Sequence, residues 1–171
     1  GPGDNYNLYL GSMSLQSVQD LSGVAEISSP AIVVTSNPTT DGIPDTWWQQ
    51  FAIGAADRTA SGDFDKDGLS NALEYFAGTD PSDAGAEAQI RAHYEAIGRV
   101  AGIDYRRSKE ASGVTGTMQW STSLGSQAAW SSDSVSDDLL EDHGTWELRR
   151  ASVAWPGGDP AIFLRLNLNL N

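Results

Sequence analysis

The segment DFDKDGLSNALE, Asp63 to Glu74, constrains this chain more than any other. Aspartates stand on alternate positions 63, 65 and 67; Gly68 follows, and a glutamate comes seven residues after the last Asp. Carboxylates this close repel, since two unit charges about 4 Å apart cost roughly 1 kcal/mol even in bulk water. A hard cation removes that cost. Calcium takes oxygen ligands from positions one, three, five, seven, nine and twelve of such a loop, with glycine at six for the sharp turn. Asp63, Asp65, Asp67, the Leu69 carbonyl, Asn71 and Glu74 fill those positions in order. The competing reading, an acidic surface loop that caps a helix, does not account for a pattern this long and free of gaps.

The residues around the loop read as short helices. SNALEYFAG carries Leu73, Tyr75 and Phe76 near helical spacing; Gly78 stands where a left-handed cap ends a helix, and Pro81 bars continuation. TWWQQFAI, residues 46–53, reads as a second short helix, whereas GAADRTASG, residues 54–62, is too Gly/Ser-rich to be the entering helix of a full EF-hand. Half an EF-hand is therefore expected, a loop followed by a helix. NPTTDGIPDTWW upstream is a degenerate echo of it. Asp41-Gly42 aligns with Asp67-Gly68 and Asp45 falls on the slot of Asn71, but Asn37 and Thr39 hold the first acidic slots and Trp48 replaces the glutamate. Asp41, Ile43 and Asp45 are candidates for a second, weaker or shared site. A turn leading into a helix with Asp45 as its cap explains them equally well.

Composition narrows the partners. A net charge of −13 lacks the basic footprint that nucleic acids or anionic lipids need. There is no cysteine, which excludes disulfides and thiolate metal sites. No segment approaches the roughly 20 apolar residues of a membrane helix, so membrane insertion is not expected. No signal peptide is visible, and the opening Gly-Pro-Gly reads as a processing or tag remnant, so a mature or trimmed chain is expected. A structural calcium loop is best supplied outside the cell, which points to an extracellular or cell-surface location.

The remainder alternates with a period of two. Tyr6, Leu8 and Leu10 share a face of a strand over residues 5–15, and AIVV (31–34) reads as another strand. Beyond Ala86, VTGTMQWS sets Val114, Gly116, Met118 and Trp120 against Thr115, Thr117, Gln119 and Ser121. AQIRAHYEA sets Ile90, Ala92 and Tyr94 against Arg91, His93 and Glu95, and IFLRLNLNLN puts Ile162, Leu164, Leu166, Leu168 and Leu170 on one face. With AGIDYRR and TWELRRASVAW these make five or six strands, the scale of a small β-sandwich. The expected fold is mainly β: a small sandwich over 86–171, a short helical EF-hand-like calcium module over 37–85, and an N-terminal strand and linker over 1–36.

DGIPDTWWQQF followed by DFDKDGLSNALEYFAGTDPSD resembles the paired calcium modules of thrombospondin type 3 and dockerin-like repeats. The stretch from IDYRRSKEASGVTGTMQWSTSLGSQAAWSS to AIFLRLNL is similar to the small C-terminal β domain that follows such modules in large secreted bacterial proteins. The resemblance implies calcium-stabilised architecture rather than catalysis. It departs from the pattern at Asn37, Thr39 and Trp48.

Three functions remain. An enzyme lacks its parts, because neither His93 nor His143 has a nucleophile motif beside it and no metalloprotease, serine-hydrolase or phosphate-loop motif is present. A carbohydrate-binding or adhesion module would use exposed members of the six Trp to stack on glycans; core packing is the ordinary role for each, with Trp120 fitting the core and Trp130, Trp146 and Trp155 less constrained. The expected function is a non-catalytic structural protein that self-associates or binds another extracellular protein. Its N-terminal strand, Tyr6, Leu8 and Leu10, either folds back or completes the sheet of a neighbouring copy, the second choice giving a filament.

Overall fold

A computed structural model describes residues 42–155, 157 and 161–170, together with the backbone of 5–14 and 31–34. The chain is mainly β, and its strands form two four-stranded antiparallel sheets. In one sheet the order is β2 (Ala31–Val34), β1 (Asn5–Ser14), β8 (Ala161–Leu170), β5 (Val114–Ser121). In the other it is β3 (Arg91–Glu95), β4 (Val100–Ser108), β7 (Trp146–Ala154), β6 (Ser136–Asp142). Two short helices, α1 (Asp45–Gln50) and α2 (Asn71–Ala77), lie between β2 and β3 in sequence.

Alternation places the core. Ile162, Leu164, Leu166 and Leu168 of β8 are buried, as are Val114 and Met118 of β5. Ala101, Ile103 and Tyr105 of β4 and Ala151 and Val153 of β7 are buried with them in one apolar cluster. Trp48, Ile53, Leu73 and Phe76 belong to the same cluster, so α1, α2 and the residues between them share a core with strands β4, β5, β7 and β8. Each large apolar side chain removed from water there contributes about 1.5–3 kcal/mol. At Gly116 a side chain would collide with the Phe76 ring, since a Cβ would stand 2.6 Å from its Cζ. Glycine at that point lets α2 pack against β5.

β1 lies between β2 and β8, with Tyr6 opposite Leu168, Leu8 opposite Leu166 and Leu10 opposite Leu164. The 162–170 edge is thus the partner of the N-terminal strand, and within the single chain the strand folds back onto it.

Two strands depart from the pattern. In β3, Tyr94 is exposed while His93 is half-buried, against the expected face of Ile90, Ala92 and Tyr94. β3 is an edge strand that pairs only with β4, and Tyr94 instead meets the edge of the Trp155 ring at 5.9 Å. β6 was not foreseen as a strand. Its residues SDDLLED are exposed throughout and have no apolar alternation. The ladder to β7 holds it, with Arg149 Nε donating to Asp137 at 2.8 Å.

Candidate metal centre

Helix α2 organises the acidic loop. Ser70 is its N-cap, and its Oγ accepts from the Leu73 N–H at 3.4 Å. Gly78, in the left-handed conformation at φ 71°, ends it. Residues 54–62 form turns rather than a helix, as their composition predicts. They nevertheless serve the start of α2: the Asn71 N–H donates to the Gly62 carbonyl at 2.8 Å and the Ala72 N–H to the Ala60 carbonyl at 2.9 Å. A helix begins with N–H groups that have no intrahelical acceptor, and these two carbonyls supply them.

Within the loop the aspartates are held by backbone donors. Asp63 accepts from the Lys66 N–H at 2.7 Å and the Gly68 N–H at 3.0 Å. Asp65 Oδ1 accepts from the Asp67 N–H at 3.2 Å, and Asp67 Oδ1 from the Leu69 N–H at 2.7 Å. Gly68 adopts φ 95°, which a side-chain-bearing residue rarely tolerates, and so turns the loop. The outcome is convergence: one carboxylate oxygen from each of Asp63, Asp65 and Asp67 lies within 4.8 Å of the others. This cluster can hold a metal ion. Its donors are all oxygens, the set that suits hard cations.

Glu74 and Asn71 of α2 are buried, each 0% exposed. Asn71 Nδ2 donates to the Thr59 carbonyl at 2.8 Å, which orients the amide, while its Oδ1 has no partner among the described residues. Both carboxylate oxygens of Glu74 and Oδ2 of Asp65 are likewise buried without a partner among those residues. Burial, reinforced by the charges of Asp65, Asp67, Asp63 and Asp80, pushes the Glu74 carboxyl up to about 8. Burial also raises Asp65, reinforced by Asp67 and Asp63. A buried, unpaired carboxylate is among the costliest groups a fold can carry. The three converging aspartates therefore fit a cation; Asn71 and Glu74 stand at the start of the helix that follows the loop, and the Leu69 carbonyl is in the loop itself.

Of the second set of candidates, only Ile43 and Asp45 are described. Asp41 lies outside the described residues. Ile43 is buried in the apolar cluster. Asp45 is the first residue of α1 rather than its cap, and its carboxylate lies 3.6 Å from Arg58 Nη1. A negative charge there complements the positive end of the helix dipole.

The tryptophans and histidines are engaged elsewhere. Trp48 is buried, and Trp47 packs edge-on against Trp48, Phe51 and Tyr75. Trp155 is buried, and Trp120 is half-buried with its Nε1 donating to the Asp133 carbonyl. Arg165 lies over the Trp130 ring at 4.2 Å. Trp146 has Arg106 over it at 4.3 Å and His143 stacked on it at 3.8 Å. The loosely constrained trio therefore does not form a free exposed pair. His93 and His143 each lie beside a glutamate, Glu95 at 3.2 Å and Glu141 at 2.9 Å.

Arg106 is a residue that sequence reasoning overlooked. From β4 its Nε donates to the Ala77 carbonyl and its Nη2 to the Gly78 carbonyl, both at 2.8 Å. Tyr75 joins α2 to the turn after β4: its hydroxyl donates to the Ser112 carbonyl at 2.8 Å and accepts from the Ser112 N–H at 2.9 Å.

No known protein family, curated protein or solved structure matches the chain.

Proposed function

We propose that the protein is a non-catalytic, calcium-stabilised structural protein of the extracellular space or cell surface. On this reading the loop Asp63–Glu74 binds calcium in an EF-hand-like manner, and the two sheets pack as a β-sandwich on which that module sits. The observation that carries it is Glu74, fully buried, with both carboxylate oxygens unpartnered among the described residues and the charges of Asp65, Asp67, Asp63 and Asp80 acting on it. Calcium is favoured over magnesium by the number of oxygen slots in the loop and by a glutamate at its twelfth position, which in such loops binds through both oxygens. Magnesium demands near-ideal octahedral geometry and retains several waters. Free calcium is plentiful outside cells, which supports the location.

The assembly reading rests on β1. It covers the long edge of β8, and without it the segment 86–171 would contribute only β8 and β5 to that sheet. A β1 offered by a second copy could make the same ladder, and head-to-tail repetition would give an open filament. Another extracellular protein with a suitable strand would be taken in the same way.

Calorimetric titration of calcium into chelator-treated protein tests the metal reading. Binding near 10⁻⁴–10⁻³ M is expected for an extracellular module, with a rise in melting temperature. A melting temperature unmoved by calcium or chelator would rule it out.

A further inference from the structure

Among the described residues the sheet β3-β4-β7-β6 has an open edge on each side, β3 at one and β6 at the other. One row of charged residues crosses it from edge to edge. Arg91 of β3 stands opposite Asp104 of β4, Asp104 opposite Arg150 of β7, and Arg150 opposite Asp138 of β6. Arg150 turns both donors of its fork to Asp104, Nε at 2.6 Å and Nη2 at 2.8 Å. The row therefore begins with an exposed cation, Arg91, and ends with an exposed anion, Asp138. Arg91 lies 4.0 Å from Glu87 in an exposed contact, the kind that contributes little to stability.

We infer that a second copy of this chain docks its β3 edge against the β6 edge of the first, Arg91 opposite Asp138, so that the sheet continues from copy to copy. Each of the three ladders between β3 and β6 is antiparallel, so β3 and β6 themselves run in opposite directions. A translated copy thus extends the antiparallel order. In such sheets opposed residues alternate between pairs that exchange backbone hydrogen bonds and pairs that do not. A residue aims its N–H and C=O to one side, so the two kinds also alternate along a row. Across four strands Arg91 and Asp138 come out alike, both turning these groups outward or both inward, as a ladder between them requires. The same register sets Leu139, 51% exposed, opposite the half-buried Ile90, and Ser136 opposite His93. A shift of two residues either way parts both Asp138 from Arg91 and Leu139 from Ile90. An edge bearing Asp137, Asp138, Glu141 and Asp142 repels its own copy, which disfavours a symmetric β6–β6 dimer. The head-to-tail contact, repeated, gives an open filament. It uses neither β1 nor the acidic loop and stands apart from the readings above.

The test is sedimentation velocity of the full chain in calcium-containing buffer across a wide range of concentration. The parent should self-associate. Arg91→Asp and Asp138→Arg should each weaken that association about tenfold, because each exchanges an attractive cross-strand pair for a repulsive one. An equimolar mixture of the two variants should recover it, since each edge then finds the opposite charge on the other variant. Melting curves check that both variants fold. Should a reversed charge unsettle its own sheet beside Asp104 or Arg150, Asp138→Asn should still weaken association about threefold. A parent that stays monomeric throughout, or a mixture that behaves as its two separate components, would overturn the inference. Association unmoved by either reversal would overturn it too and leave β1 exchange as the route.

Discussion

Arg106 closes the C-terminal end of the helix that carries Glu74: its Nε donates to the carbonyl of Ala77 at 2.8 Å. The same guanidinium reaches the Gly78 carbonyl at 2.8 Å and lies under Trp146. The last carbonyls of a helix have no intrahelical donor, and that end carries the negative pole of the dipole. A cation from β4 answers both needs. The sheet therefore holds the far end of α2 while the acidic loop holds the near end.

Arg106→Ala should cost about 1.5–3 kcal/mol, the range for hydrogen bonds to a charged group. Arg106→Lys keeps the charge but loses the planar fork and should recover only part of that. Urea denaturation measures both. An alanine variant as stable as the parent would show that the pairing contributes nothing.

Glu74→Gln should act with opposite signs in the two metal states. With calcium at about 100 times its dissociation constant the parent gains roughly 2.7 kcal/mol, and the variant should lose most of it. In chelator at pH 8 the variant should be at least as stable as the parent, because it no longer buries a charge. Thermal melts of both proteins in both buffers provide the comparison. Equal destabilisation in both buffers would mark Glu74 as a packing residue only.

The pH dependence in chelator follows from the same group. Glu74 is raised from an ordinary 4.5 to about 8 in the fold, by burial first and then by its acidic neighbours. Between those values the folded state holds a proton that the unfolded chain has released. Its contribution to stability is full below about pH 4.5, falls as pH rises, and is gone above about pH 8. The limiting slope is about 1.4 kcal/mol per pH unit. Calcium displaces that proton, so its stabilising effect should grow from pH 5 to pH 8. A calcium effect independent of pH across that window would contradict the placement of Glu74 in the site.

Removal of residues 1–15 separates strand exchange from folding back. If copies exchange β1, the truncated protein should remain folded, bind calcium and form no filaments by electron microscopy, while the full chain forms them. Its uncovered β8 edge should favour aggregation. If β1 serves only its own chain, the truncation should lower the melting temperature and leave the oligomeric state unchanged. A full-length protein that sediments as a monomer at high concentration with calcium would dispose of the filament.

Much of the site was legible because its determinants are local. The 63–74 spacing places three aspartates on successive turns of one loop, and backbone donors within that loop hold them together. Gly78 ends α2 because glycine accommodates the left-handed conformation that closes a helix. VTGTMQWS became β5 over the residues its pattern marked, since alternation reports a strand with one buried face, and the apolar run AIVV became β2. Tertiary structure alone decided the rest. Strand β6 has no apolar face to announce it and exists through its ladder to β7. Arg106 finds the end of α2 across 28–29 residues of chain, and no spacing rule joins the two. Glu74 is fully buried with no partner among the described residues, on a helix that packs against β4 and β5. A ligand pattern is written along the backbone; the desolvation of a ligand depends on segments that meet only when the chain is folded.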